Sequence, residues 1–106
     1  MIIRMSARAL EQLEEVYDFI NQRNSTAAVY IHNDLLDSID LLSGQPYLGH
    51  IEPLLADAAI SYRSLILTPT YKAVYQIAGE IITIVSIYDC RQNPSKLRQD
   101  ILKKKK

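Results

Sequence analysis

Three runs rich in β-branched and aromatic residues follow one another with only turn-length gaps, and this stretch limits the fold more than any other. They are Tyr62–Leu67, Tyr71–Ile77 and Ile81–Tyr88, separated by Thr68-Pro69-Thr70 and Ala78-Gly79-Glu80. Such runs, bounded by Pro and Gly, read as strands joined by tight turns, hence as a three-stranded antiparallel meander. Arg63 and Lys72 give the first two strands a polar face. The third is apolar on both faces, which places it inside the sheet with cover on each side. A polar corner, Asp89-Cys90-Arg91-Gln92-Asn93-Pro94, closes the stretch.

The preceding residues read as material that packs on this sheet. Ile2–Met5 is a short β-prone start, expected to join the later three strands. Ser6 is placed to cap a helix from Ala7 to about Arg23, because its hydroxyl can accept from a first-turn amide. Leu10, Leu13, Val16, Tyr17 and Ile20 recur at helical spacing, so they share one face. Asn24 is a stop, and Ser25 is expected to cap a second helix from Thr26 to about Ser43. That helix turns Ala28, Ile31, Leu35, Ile39 and Leu42 inward. Gly44-Gln45-Pro46 ends it. The short connection predicts an antiparallel helix hairpin. Residues 47–61, punctuated by Gly49 and Pro53, read as an irregular surface loop tied down by Leu54, Leu55 and Ile60. Pro94 and Ser95 open a last short helix, Lys96 to about Leu102. Helices and strands kept in separate runs predict an α+β two-layer fold.

The chain's 106 residues fit one domain, 1–106, ending in the basic tail 103–106. A single cysteine, Cys90, excludes an internal disulfide and a zinc site built on several cysteines. No metal and no cofactor are expected. The start, Met1-Ile2-Ile3-Arg4-Met5, lacks the apolar run of a signal peptide, and no run approaches the roughly 20 residues that span a bilayer. No membrane partner and a cytoplasmic location are therefore expected. Net charge is zero but poorly mixed: residues 1–60 carry three basic and nine acidic side chains, residues 61–106 nine basic and three acidic. Such a split suggests a cationic face meeting something anionic, or else self-solvating helices and a solubilising tail.

The opening strand, the Ser-capped helix pair and the Pro46-Tyr47-Leu48-Gly49 step together carry a resemblance. So do Tyr62-Arg63, Tyr71-Lys72-Ala73-Val74-Tyr75 and the corner Ile87-Tyr88-Asp89-Cys90-Arg91-Gln92-Asn93-Pro94. In this order they resemble the RelE/ParE toxins of bacterial type II toxin–antitoxin systems. The corner is most similar to the ParE branch, the plasmid-stabilisation proteins. The resemblance implies a growth-inhibiting toxin neutralised by a cognate antitoxin encoded beside it. ParE-type members are understood to inhibit DNA gyrase, whereas RelE-type members cut messenger RNA on the ribosome. A non-toxic relative that only binds antitoxin is a third reading.

RNA cleavage needs a base, cations for the developing charge and an acid for the leaving oxygen. The resemblance puts Lys72 and Arg91 at cationic positions and Tyr88 at the acid's. Arg63, Lys72, Arg91, Lys96 and Arg98 are the candidates for holding RNA or a protein target. These side chains are expected to share one concave cationic edge. Each has a structural alternative: Arg63 and Lys72 as strand charges, Arg91 pinning the corner through Asp89, Tyr71, Tyr75 and Tyr88 as core or rim aromatics. Cys90 reads as a small packed residue, and His32 and His50 as surface groups. The C-terminal half holds no histidine, and a neutral chain is a poor neutraliser of several phosphates. Both points weigh towards the gyrase-type reading.

Overall fold

The computed structural model describes residues 1–102; the expected basic tail, 103–106, lies outside them. Strand β1 (Ile2–Met5) leads through Ser6 into α1 (Ala7–Asn21), then α2 (Ser25–Asp40). A 3-10 turn, Leu41–Ser43, extends α2. A two-residue strand, β2 (His50–Ile51), and a second 3-10 turn, Pro53–Leu55, precede β3 (Arg63–Ile66), β4 (Tyr71–Ala78) and β5 (Ile81–Asp89). Helix α3 (Pro94–Leu102) closes the described chain. The α+β architecture is the one expected, with the helix pair, the meander and the short last helix in place.

Ser6 caps α1 as predicted: its Oγ accepts from the Ala9 amide at 3.1 Å. The cap of α2 is Asn24 rather than Ser25, with Asn24 Oδ1 accepting from Ala27 N at 2.9 Å. Asn24 therefore starts the second helix as well as stopping the first. Asn24 holds the extended backbone of a cap, φ −160° and ψ 102°, whereas Ser25 is already the first residue of the helix. The stretch 47–61 is more ordered than its Pro and Gly content suggested, because β2 pairs with β3 through His50↔Ser64 and Ile51↔Arg63.

The five strands lie in the order β1-β5-β4-β3-β2. β1 runs parallel to β5, and all other neighbours are antiparallel. β5 is interior, as its two apolar faces require. One face of the sheet packs on α1 and α2: Tyr71, Ala73, Tyr75, Ile82, Ile84 and Ile87 meet Leu13, Val16, Leu35 and Ile39. The other face is covered by α3 and residues 54–62, where Val74 and Tyr88 meet Leu55, Tyr62, Leu97 and Ile101. Ile84 faces Tyr75 while Ser86 faces Val74, so Val85 is an extra residue, a β-bulge. The bulge keeps Ile87 on the hairpin face and Tyr88 on the α3 face.

Tyr75 is fully buried, and its hydroxyl is satisfied by donating to Pro46 O at 2.8 Å and accepting from Gly49 N at 3.0 Å. That pulls Gly49 against β3. A Cβ there would sit 2.4 Å from the Ser64 carbonyl oxygen, a backbone atom that cannot step aside. Gly49→Ala is expected to destabilise the chain by about 1–3 kcal/mol, an overpacking cost. Gly44→Ala, which meets nothing within 4 Å, should stay within about 0.5 kcal/mol of the parent. Urea midpoints compared at constant m-value check both.

Candidate functional site

The α3 face of the sheet holds a buried polar cluster. Glu52 is 1 % exposed. Its Oε1 pairs with Lys72 Nζ and accepts from Ser64 Oγ, and its Oε2 accepts from the Leu54 amide at 2.9 Å. One carboxylate thus joins the loop, β3 and β4. Burial by itself would raise the Glu52 carboxyl, but the Lys72, Ser64 and Leu54 bonds outweigh it and hold the group below its ordinary value. Lys72 lies opposite Tyr88 in the β4–β5 register, with Nζ 5.4 Å from the ring centroid. The Tyr88 hydroxyl is 3.0 Å from the carbonyl oxygens of Gln92 and Asn93, to which it donates. It is 3 % exposed, and burial pushes its pKa up. The proton is therefore engaged in closing the corner.

Arg91 is elsewhere. It grips Asp89 with two bonds, Nε to Oδ1 at 3.0 Å and a terminal nitrogen to Oδ2 at 2.8 Å. Hydrogen bonding to Arg91 holds the Asp89 carboxyl below its usual range. Asp89 pairs with Tyr71, on the hairpin face, and both line a cleft against α1 together with Arg91. The expected concave edge shared by Lys72 and Arg91 is therefore not what forms. Lys72 stands opposite Tyr88, and the single step of the pleat from Tyr88 to Asp89 turns Asp89, and Arg91 bonded to it, to the hairpin face.

The remaining candidates are likewise dispersed. Arg63 stacks on the Tyr47 ring at 4.8 Å and donates to the Gly49 carbonyl at 2.7 Å. Arg98 donates to Leu54 O at 2.9 Å and to Asp57 Oδ1 at 2.7 Å, so it fastens α3 to the loop beneath. Lys96 is exposed near the start of α3. Structure brings Lys72 and Tyr88 together and separates Arg63 and Arg91 from them.

Glu52 was missed from sequence because it stands in a segment with no readable period; its one signal was an acid just before Pro53. Cys90 is exposed rather than packed. Desolvation raises its thiol above the ordinary value, so a thiolate nucleophile is disfavoured. His50 is exposed on β2, and His32 is half-buried edge-on to Tyr17, with ring centroids 5.6 Å apart. Among the described residues, no group of three or more His, Cys, Asp or Glu side chains could hold a metal ion. None of the described helices is long and apolar enough to cross a membrane.

Comparison with known proteins agrees with this architecture. The family model described as the ParE toxin of type II toxin–antitoxin system, parDE, matches residues 3–94. A solved structure of a chromosomal ParDE toxin–antitoxin system from P. aeruginosa superposes with a TM-score of 0.71 at 20% identity, covering 84% of this chain and 95% of that one. A YoeB/ParE toxin from Agrobacterium tumefaciens superposes with a TM-score of 0.58, also at 20% identity, covering 84% of this chain and 98% of that one. Among curated proteins, none matches the sequence.

The clamp makes a measurable claim. Lys72→Ala would leave a buried carboxylate without its counter-charge and is expected to cost about 3–5 kcal/mol. Adding Glu52→Gln to that variant should recover part of the loss, as a denaturation cycle would show. Because the folded Glu52 value is depressed, its contribution is present above the unfolded carboxylate's pKa and lost as pH falls through the folded one. Glu52→Gln should therefore flatten the acid limb of the stability profile.

Proposed function

The chain belongs to the ParE toxin family of type II toxin–antitoxin systems, and from that premise we propose that it arrests growth by gripping a host protein, DNA gyrase in the first instance, without cutting RNA. It acts in the cytoplasm and is held inactive by a cognate antitoxin. The observation that carries this reading is the commitment of Lys72 to the buried Glu52 carboxylate. A cation so engaged has little left to offer a developing negative charge on phosphate.

The other groups support the same view. Tyr88, the candidate acid, has its proton in use at the corner. Arg91, the candidate cation of the corner, opens onto the other face of the sheet. A cleaving centre needs base, cation and acid converging on one phosphate. A protein inhibitor needs only a surface with anchors. Arg91, with its side chain 64% exposed and its guanidinium held flat by Asp89, is a preorganised anchor of that kind. Lys72 and Tyr88 serve it indirectly, by holding the corner from which Arg91 projects.

Induction in a bacterial host without antitoxin tests the reading. The expected result is growth arrest with DNA breaks and an SOS response while messages stay full length. Truncated polysome-associated messages with intact DNA would replace it with ribosome-dependent cleavage. No arrest at all would leave an antitoxin-binding relative. Arg91→Ala, at an exposed site, is expected to relieve the arrest while leaving the melting temperature close to the parent's.

A further inference from the structure

The cleft between α1 and the outer edge of β5 holds about 230 Å³ and carries polar groups that the fold leaves unused. Gln12 and Tyr71 line it, and each is only 8 % exposed. Gln12 Oε1 accepts from the Ile87 amide at 2.8 Å, so the Nε2 end of that side chain is free to donate. Neither Gln12 Nε2 nor the Tyr71 hydroxyl has a protein partner among the described residues. Neither is sealed from solvent, since Ser86 Oγ is the only buried side-chain oxygen or nitrogen among those residues that lacks a partner. Both therefore open into the cleft that they line.

The sheet wall adds an acceptor. β1 ends at Met5, opposite Ile84, so no strand lies beside the last residues of β5. Ile87 N points outward to Gln12, and antiparallel alternation turns the Ile87 carbonyl to the same side. That carbonyl has no bonded partner there among the described residues. Val16 and Phe19 supply an apolar wall from the helix, and the charges of Arg8 and Arg91 balance those of Glu15 and Asp89.

An apolar occupant would bury the Gln12 N–H, the Tyr71 hydroxyl and the Ile87 carbonyl unpaired. A carboxylate would meet the two donors but not the Ile87 oxygen, and the balanced charges give it no net attraction. An ammonium would meet the Ile87 oxygen and leave the Gln12 N–H without an acceptor. A primary carboxamide carries an acceptor oxygen and a donor nitrogen side by side, without charge, and meets all three.

We propose that the toxin takes an Asn or Gln side chain of its host protein target into this cleft. The carboxamide oxygen accepts from Gln12 Nε2 and the Tyr71 hydroxyl, its nitrogen donates to Ile87 O, and its stem lies on Val16 and Phe19. The proposal rests on the reading of the chain as a toxin that grips gyrase. It adds the source of selectivity: a site built to bond a carboxamide rejects the Asp or Glu of the same shape, which leaves the Ile87 oxygen unmet.

The test uses the full chain and purified, intact DNA gyrase. Gln12→Glu keeps an acceptor for the Ile87 amide but replaces the free donor with a second acceptor, and should weaken gyrase binding about tenfold or more. Tyr71→Phe removes a hydroxyl that bonds nothing in the free chain. It should weaken binding about threefold while its melting temperature matches the parent's. Val29→Arg, on the exposed side of α2 away from the cleft, should bind as the parent does. A photo-crosslinking residue in place of Phe19, a site 47% exposed beside the cleft, should join to a gyrase segment holding an Asn or Gln. If either folded variant, Gln12→Glu or Tyr71→Phe, binds gyrase as the parent does, or the joined segment holds no Asn or Gln, the carboxamide pocket is overturned while the gyrase reading stands. An unmodified chain that does not bind gyrase overturns both.

Discussion

A single buried carboxylate holds the second layer of this protein in place. Glu52 reaches Lys72 on β4, Ser64 on β3 and the Leu54 amide of its own loop. It joins Tyr75 and Arg63, which bond the Pro46–Gly49 step, in laying residues 47–61 along the sheet, where β2 contributes only two residues of pairing. α3 rests on that loop through Arg98, which bonds Leu54 O and Asp57. So the ion pair helps to order the loop, the loop seats the last helix, and the helix covers Val74 and Tyr88. Desolvating both charges is costly, and the arrangement persists because every oxygen of Glu52 is occupied.

The same economy extends to the cations among the described residues, half of which are already paired with carboxylates. Arg8 is shared among Glu11, Glu15 and Asp100, Arg91 is held by Asp89, and Arg98 by Asp57. Some of these pairs are local, Arg91 with Asp89 and Arg8 with Glu11, and others cross the fold, Arg98 with Asp57 and Arg8 with Asp100. The imbalance between the acidic first half and the basic second half is resolved in part by contacts between the halves, Glu52 with Lys72 and Asp57 with Arg98 among them. Electrostatic surface arguments from sequence counts overestimate what such a protein can offer to a polyanion.

Much of the architecture was legible because it rests on periodicity. The helical spacing of Leu13, Val16 and Ile20 and the β-branched run Ile81–Tyr88 each point to one element and one buried face. The candidate site was less legible, for two physical reasons. Glu52 acts through distant partners, and nothing in its neighbours announces them. The bulge at Val85 breaks strict alternation, so Tyr88 and Asp89 sit on faces that counting from Ile82 would exchange. The shared surface expected for Arg91 and Lys72 came from the resemblance, and the step from Tyr88 to Asp89 turns Arg91's partner to the other face. The alternative role for Arg91, pinning the corner through Asp89, is the contact observed.

Val85 also works as a spare residue. Ile84 and Ser86 face neighbours on β4, Tyr75 and Val74, so removing the residue between them would leave a plain ladder with every later side chain on its present face. Loss of Ser86 would let Val85 take its place opposite Val74, and loss of Ile87 would turn Ser86 into the hairpin core opposite Ala73. Each keeps Tyr88 and Asp89 on their present faces. What distinguishes one shortening of this strand from another is the side chain it delivers to the core.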